Sequence, residues 1–414
     1  MKNNVYYDFN IQKYFDGNKY LIAAVNFSRK SNNLSKKQMQ KDNLISHATF
    51  RRAELTNFVG HSELINKLAE YFNIPIDYDI DMINELNTNF NLLYTSLYFN
   101  EIEKMEYYYQ KIEQNLDLYR NNVLFSIFHF ARIIYYVSSP KRVEIDTINE
   151  SIEILKLYRD DLLPIFDFLL DEYIYCFYSL IHDQVNSIKL SKKVYLESHK
   201  YPRLIPLVLY QMSVNYYFIN DYANSIFYSL ESLPLLEADL NYKRAISCYM
   251  NNAICFERLD NTVKSKEILN KIFLYLESNK IPHVEYLSKL TLANCNVTDG
   301  NYQEAIEIFS ELEENRPRRG ENSLMILYCY YKQNDKEEFT KLAEILHNEY
   351  DNLNFFEGYN DLVMLLEAII IKNKKRIYES YLNAKKSFPL YSDSKIVDII
   401  YKEVKSKKVL PESN

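Results

Sequence analysis

The sequence predicts an all-α protein in two parts: a small N-terminal group of short helices, then a long array of paired helices. Three observations predict it. Glycine and proline are scarce, 5 and 10 among 414 residues, so helices run long between short polar turns. Aromatics reach 15%, mostly Tyr, which supplies ample apolar surface for packing. A pattern of small residues and polar turns recurs with a 40-residue period. A chain of this length exceeds one small core and calls for several domains or a repeat array.

The N-terminal part, residues 1–76, reads as four or five short helices around one small core. "NKYLIAAVNFSRKSNN" is amphipathic, with Leu21, Ile22, Val25 and Phe27 apolar. In "LSKKQMQKDNLISHATFRRAE", Ser35 caps a helix beginning at Lys36, anchored by Met39. Ser46 caps a second, beginning at His47, whose buried side is Phe50 and Ala53. "GHSELINKLAEYFNI" follows, with Ser62 as cap and Leu64, Ile65, Leu68, Ala69 and Phe72 as its stripe. This part holds 11 Lys/Arg against 6 Asp/Glu, a net +5, whereas the remainder nets −12. A basic head on an acidic body suits phosphate binding by the head alone.

The body, residues 77–414, shows the repeat. "SVNYYFINDYANSIFYSLESL", "AICFERLDNTVKSKEIL" and "ANCNVTDGNYQEAIEIF" align. Each opens on a small residue: Ser213, Ala253, Ala293. Tyr216, Phe256 or Asn296 comes three positions later. A polar turn follows: Asn220-Asp221-Tyr222, Asp260-Asn261-Thr262, Gly300-Asn301-Tyr302. A second small residue comes next: Ser225, Ser265, Ala305. Weaker copies place Ser187 38 residues before Ser225, and set further turns near residue 100, at Asn334-Asp335 and near 375. Small residues let two antiparallel helices cross closely, and the next pair covers the face each pair leaves open.

This pattern resembles the tetratricopeptide repeat. The resemblance implies an α-solenoid whose concave face is lined by the first helix of each pair and holds an extended peptide. Residues two before or one after the first small residue then face inward: Gln211, Val214, Asn251, Ile254, Thr291 and Asn294. Arg258 faces the same way about a turn later. An Asn amide both donates to and accepts from a peptide unit, and Arg258 suits a carboxylate. The plainer reading of Asn251 and Asn294, polar side chains facing water, stays open.

The N-terminal part resembles the helix-turn-helix of Xre/Cro repressors. Leu34, Ser35, Met39, Ile45, Ser46, Thr49, Phe50 and Glu54 match in one ungapped register. Gln40 departs from the usual alanine and Leu44 from the usual glycine turn; Asn43 tolerates the left-handed conformation in its place. The resemblance makes Ser46 to about Leu55 the recognition helix. Its end at Ser46 enters the major groove, with His47, Ala48 and Arg51 as base readers. Lys36, Lys37 and Arg52, with Arg29 and Lys30 nearby, grip phosphates. A repressor-like head on a repeat body is similar to the RRNPP peptide-pheromone receptors. That likeness implies a homodimer on double-stranded operator DNA, controlled by a short signalling peptide.

An enzyme is not expected: there is no HExxH, no Gly-rich phosphate loop and no paired-cysteine site, and no cofactor or metal is called for. The five scattered cysteines read as free, mostly buried thiols in a reducing compartment. Leu362 to Ile371 is the most apolar late stretch, but at about half the required length and with Glu367 inside it is no membrane helix. There is no signal peptide, so a cytoplasmic protein is expected. The alternative from another class is a repeat-protein adaptor or anti-activator that binds a protein partner without specific DNA binding.

Overall fold

The structure, a computed structural model, describes residues 5–16, 19–35, 37–38, 46, 62–76, 78–120, 122–138, 144–315, 320–350, 357–387 and 395–406. Among these there is no strand. An irregular stretch, residues 5–10, leads into a 3₁₀ turn, Ile11–Phe15, and then α1, Lys19–Ser31. Next come α2 (Ser62–Phe72), α3 (Ile80–Tyr98), α4 (Ile102–Glu113) and a single turn α5 (Leu116–Tyr119). Helices α6 (Leu124–Ser138), α7 (Ile145–Tyr158), α8 (Pro164–Leu180) and α9 (Gln184–Ser198) follow. Then come α10 (Ile205–Phe218), α11 (Tyr222–Ala238), α12 (Tyr242–Arg258) and α13 (Thr262–Ser278). The chain continues through α14 (Pro282–Asp299), α15 (Tyr302–Asn315), α16 (Glu321–Gln333) and α17 (Lys336–Tyr350). It closes with α18 (Glu357–Ile371), α19 (Lys374–Ser387) and α20 (Lys395–Ser406). Residues 1–248 form one compact unit and residues 249–414 another.

One turn chemistry joins the helices of most pairs. At His182-Asp183, Asn220-Asp221, Asp260-Asn261, Asn334-Asp335 and Lys372-Asn373 the first residue takes a left-handed φ of 57–61°. That conformation ends the first helix, and Asn and Asp tolerate it best. The second residue caps the next helix through its side-chain oxygen. Asp183 accepts from the Asn186 N–H, Asp221 from Asn224, Asn261 from Lys264, Asp335 from Glu338 and Asn373 from Arg376, all at 3.1–3.2 Å. Gly300 plays the first role with φ 83°. Every turn expected from the repeat is therefore a turn, including those at Asn334 and near residue 375.

The small residues lie where expected. Ser213 and Ser225 are fully buried in the first unit, and Ala253, Ser265, Ala293 and Ala305 are fully buried in the second. The serines add a bond that small size alone does not require. Ser225 Oγ donates to the Ser213 carbonyl at 2.7 Å, and Ser265 Oγ to the Ala253 carbonyl at 2.8 Å. One repeat earlier Ser187 Oγ lies 3.2 Å from the Tyr175 carbonyl, though closer, at 2.8 Å, to Asn215 Oδ1. In each case a carbonyl twelve residues back is within reach, and in Ser225 and Ser265 the hydroxyl ties the second helix of a pair to the first. Each such bond contributes about 1 kcal/mol. Tyr216, the aromatic of the first repeat, is buried and stacks on Tyr228 at 5.3 Å.

In the first unit the N-terminal stretch is part of the core. Phe9 and Tyr14 are buried among Phe90, Phe130 and Phe166. Helix α1 lies on α7, with Phe27 stacked on Tyr158 at 4.2 Å. The second unit buries Leu324, Leu327, Phe339, Leu362, Leu365, Leu366 and the α20 residues Ile396, Val397, Ile400 and Val404 in one cluster.

Candidate functional site

In the second unit, α12 and α14 bring forward the residues that the repeat register selects. Asn251, Ile254, Arg258 and Asn294 are half-buried and share the register expected of a ligand-facing surface. Thr291 corrects that register: it is buried, and its hydroxyl donates to the Leu287 carbonyl at 2.8 Å. Arg258 is already engaged by the chain itself. Its side chain is 11% exposed, 3.6 Å from the Asp398 carboxylate of α20 and 3.9 Å from Glu257. The carboxylate expected from a peptide is thus supplied in this structure by Asp398.

Helix α20 makes further polar contacts along this face. Lys395 Nζ lies 2.6 Å from buried Glu257 and 3.6 Å from Asp260, and Lys402 lies 3.4 Å from Asp260. Glu403 accepts from Tyr331 OH at 2.7 Å and pairs with Lys332 at 3.3 Å. Beside α20 lies a cavity of ≈420 Å³ lined by Val297, Thr298, Tyr302 and Tyr328 together with Lys332, Lys395 and Glu403. Sequence reasoning missed α20 as a partner of Arg258, because 140 residues separate Arg258 from Asp398.

In the first unit, Gln211 and Val214 of α10 are half-buried. Gln211 Oε1 accepts from Tyr175 OH at 3.2 Å. The same unit holds a feature that the sequence reading did not select: a row of polar side chains on α3 that holds residues 6–12. The Tyr6 N–H donates to Thr95 Oγ1 at 3.0 Å, the Phe9 N–H to Asn91 Oδ1 at 3.1 Å, and the Ile11 N–H to Asn87 Oδ1 at 2.8 Å. Gln12 Nε2 donates to Asn84 Oδ1 at 3.1 Å. Asn91 also donates to Asp8 Oδ1 at 3.0 Å, so its amide both gives and receives. The sequence signal was present in "NELNTNFNLLYT", where Asn84, Asn87, Asn91 and Thr95 recur at helical spacing.

Behind this row sits a buried polar group. Glu172 of α8 is fully buried, and neither carboxylate oxygen has a hydrogen-bond partner among the described residues. Burial pushes its carboxyl up to about 8, so it is neutral at pH 7. The hydroxyls of Tyr94 and Tyr173, also buried, have no partner either. Burial raises both phenols, and Glu172 adds to the rise. Arg244 donates to the Leu97 carbonyl and lies 4.8 Å over the Tyr210 ring.

Of the residues expected to contact DNA, Lys37 and Ser46 are described and exposed. Lys36, His47, Ala48, Arg51 and Arg52 lie outside the described residues. Ser35 Oγ accepts from the Gln38 N–H at 3.1 Å, the geometry of the expected cap. Arg29 and Lys30 are committed elsewhere. Arg29 Nη1 donates to the Leu34 carbonyl at 2.9 Å; Lys30 Nζ donates to the Leu157 carbonyl at 2.8 Å and pairs with Asp160 at 3.0 Å. The five cysteines are free: Cys248, Cys255, Cys295 and Cys329 are buried and Cys176 is half-buried. Burial pushes the Cys295 thiol up to about 11 and those of Cys248 and Cys329 up to about 12, which makes them poor nucleophiles. Among the described residues no helix is long and apolar enough to cross a membrane.

Neither protein-family models nor curated proteins give a match to this chain. Solved structures do. A Rap protein complexed with competence and sporulation factor is similar with a TM-score of 0.59 and 13% identity, over 78% of this chain and 98% of that one. The apo quorum sensor NprR from B. thuringiensis is similar with a TM-score of 0.58 and 14% identity, over 80% of this chain and 100% of that one. NprR in complex with its cognate peptide NprX follows with a TM-score of 0.57 and 11% identity, over 78% and 98%. The chain has the fold of these proteins, an all-helical array of tetratricopeptide-like repeats.

Proposed function

We propose that this chain is a cytoplasmic transcriptional regulator whose N-terminal head binds operator DNA and whose repeats bind a short signalling peptide. The observation that carries the peptide half is the set Asn251, Ile254, Arg258 and Asn294. These side chains stand at one register on α12 and α14, all half-buried, and the arginine among them already has a carboxylate beside it. Gln211 and Val214 hold the corresponding register in the first unit. A peptide with an acidic side chain or free C-terminus takes the place of Asp398 on Arg258, and the Asn amides hold its backbone. The similar chains include one complexed with competence and sporulation factor and one with its cognate peptide, which supports a peptide as ligand.

The DNA half rests on the Xre-like register from Leu34 to Glu54 and on the +5 charge of residues 1–76. A homodimer follows from it, because one such head reads too few base pairs for useful selectivity. A second reading, an adaptor that binds a protein partner without DNA, draws on Arg29 and Lys30, which are held inside the first unit rather than offered to phosphates. Selection of the full-length protein against a random duplex DNA pool separates the two. The regulator enriches an inverted repeat, and Arg51→Ala costs about 1–3 kcal/mol on the best site while relaxing one base position. The adaptor enriches nothing.

A further inference from the structure

The stretch from Tyr6 to Gln12 is bound in the way a receptor binds a peptide. Here three backbone N–H groups, those of Tyr6, Phe9 and Ile11, are each received by a side chain of α3 rather than by neighbouring backbone. The stretch runs antiparallel to α3, its residues 6, 9, 11 and 12 meeting residues 95, 91, 87 and 84.

Side chains add selectivity to the backbone contacts. Phe9 is buried in a box of Phe90, Tyr94 and Phe166, with ring centroids at 5.2, 4.9 and 5.7 Å. Tyr6 stacks on Tyr98 at 3.5 Å, and its hydroxyl reaches the Arg203 carbonyl and Asp239. Arg203 Nη1 returns a bond to the Tyr6 carbonyl at 3.1 Å. The walls of this groove come from α3 and α8, with Arg203 and Asp239 at the Tyr6 end, so all of it lies within the first unit.

We propose that this groove is a second peptide-binding site, specific for a segment with the pattern aromatic-x-x-aromatic-x-aliphatic that turns at the residue before the aliphatic one, and that residues 6–11 are its resident ligand, with Asn10 left-handed at φ 47° and Ile11 opening the 3₁₀ turn. The assignment follows from two features together. Backbone capture by Asn and Thr is indifferent to sequence and therefore transferable to another chain, while the Phe9 box and the Tyr98 platform select aromatic residues three apart. The segment continues into the 3₁₀ turn Ile11–Phe15 that precedes α1, so it latches the N-terminal part of the chain to α3 and α8. An external peptide of the same pattern competes with it. The tether gives the resident segment an effective concentration of about millimolar, so an external peptide binds well only when the latch is weakened. This site is separate from the α12 and α14 residues of the second unit and stands or falls independently of them.

The test uses the full chain and a fluorescein-labelled synthetic peptide with the sequence of residues 4–13, followed by anisotropy. Wild type binds it weakly. Phe9→Ala weakens the resident segment without altering the groove walls, and raises peptide affinity at least about tenfold. Adding Asn91→Ala to Phe9→Ala removes that gain. A peptide with Phe9 replaced by Ala binds Phe9→Ala protein at least about tenfold more weakly than the natural one. If Phe9→Ala does not fold by circular dichroism, Tyr6→Ser takes its place, since Tyr6 is only half-buried, with a smaller gain expected. Equal binding of the peptide to wild type and to the latch variant, or a gain that survives Asn91→Ala, overturns the proposal.

Discussion

Replacing Glu172 by Gln tests the buried carboxyl of the first unit. In the folded chain burial holds this group's pKa near 8, against 4.5 for a solvated glutamate. Between those values the folded state keeps a proton that the unfolded chain has lost. The contribution is therefore most favourable at low pH, and stability falls as pH rises through the window, by about 1.4 kcal/mol per pH unit until the folded pKa is reached. From pH 6 to pH 8 the loss amounts to about 2 kcal/mol. Glutamine has the same shape and no charge to lose, so Glu172→Gln removes this slope. Its own unpaired amide costs about 1–3 kcal/mol at every pH, so the slopes carry the test and not the absolute values. Buried His129 acts oppositely: burial chiefly, with Arg132 nearby, lowers its pKa to about 3, so its contribution is lost as pH falls below about 6.5. That term is common to both proteins and cancels in the difference. The assay is urea unfolding at pH 6, 7 and 8 for both chains. Parallel pH profiles for wild type and Glu172→Gln would refute a neutral buried carboxyl at this position.

Asn261→Ala removes the cap on the Lys264 N–H and costs about 1 kcal/mol by urea unfolding; Ser265→Ala loses the bond to the Ala253 carbonyl and costs about as much. Lys395→Ala leaves the buried carboxylate of Glu257 with only Arg258, at 3.9 Å, and costs about 3 kcal/mol, seen as a lowered unfolding midpoint. Asp398→Asn, at a half-exposed carboxylate, changes stability by less than about 1 kcal/mol and frees Arg258 for a peptide carboxylate, so acidic peptides bind this variant more tightly in calorimetry.

The repeats were legible because their chemistry is local. A left-handed residue followed by a capping Asp or Asn needs only two adjacent letters, and Asn220-Asp221 and Asn334-Asp335 announce themselves. Ser225 and Ala293 stood out because only small residues permit close helix crossings at a fixed period. What stayed hidden joins distant parts of the chain. Asn87 and Asn91 carry no signal that sets them apart until residues 6–11, about 80 positions away, are laid against them. Glu172 lies in the apolar run "IFDFLLDEYIYCF" beside Asp171, which does have cationic partners in Arg159 and Lys193; nothing in the letters tells the two acids apart. Thr291 was misplaced by one assumption, that every first helix presents the same two positions, whereas its hydroxyl turns back to its own helix. The head from residue 39 to 61, apart from Ser46, lies outside the described residues.

In the proposed function a peptide on the repeats sets the DNA affinity of the head. The most direct measurement starts from a random short-peptide library displayed against the full-length protein. Peptides whose capture is lost in Asn251→Ala and Arg258→Ala are then added to the protein on its selected inverted-repeat duplex, with affinity read by anisotropy. The expected result is at least about a tenfold change in DNA affinity, equivalent to about 1.4 kcal/mol of coupling, and the same factor in peptide affinity when DNA is bound first. A peptide that binds through Asn251 and Arg258 yet leaves DNA affinity unchanged would contradict it.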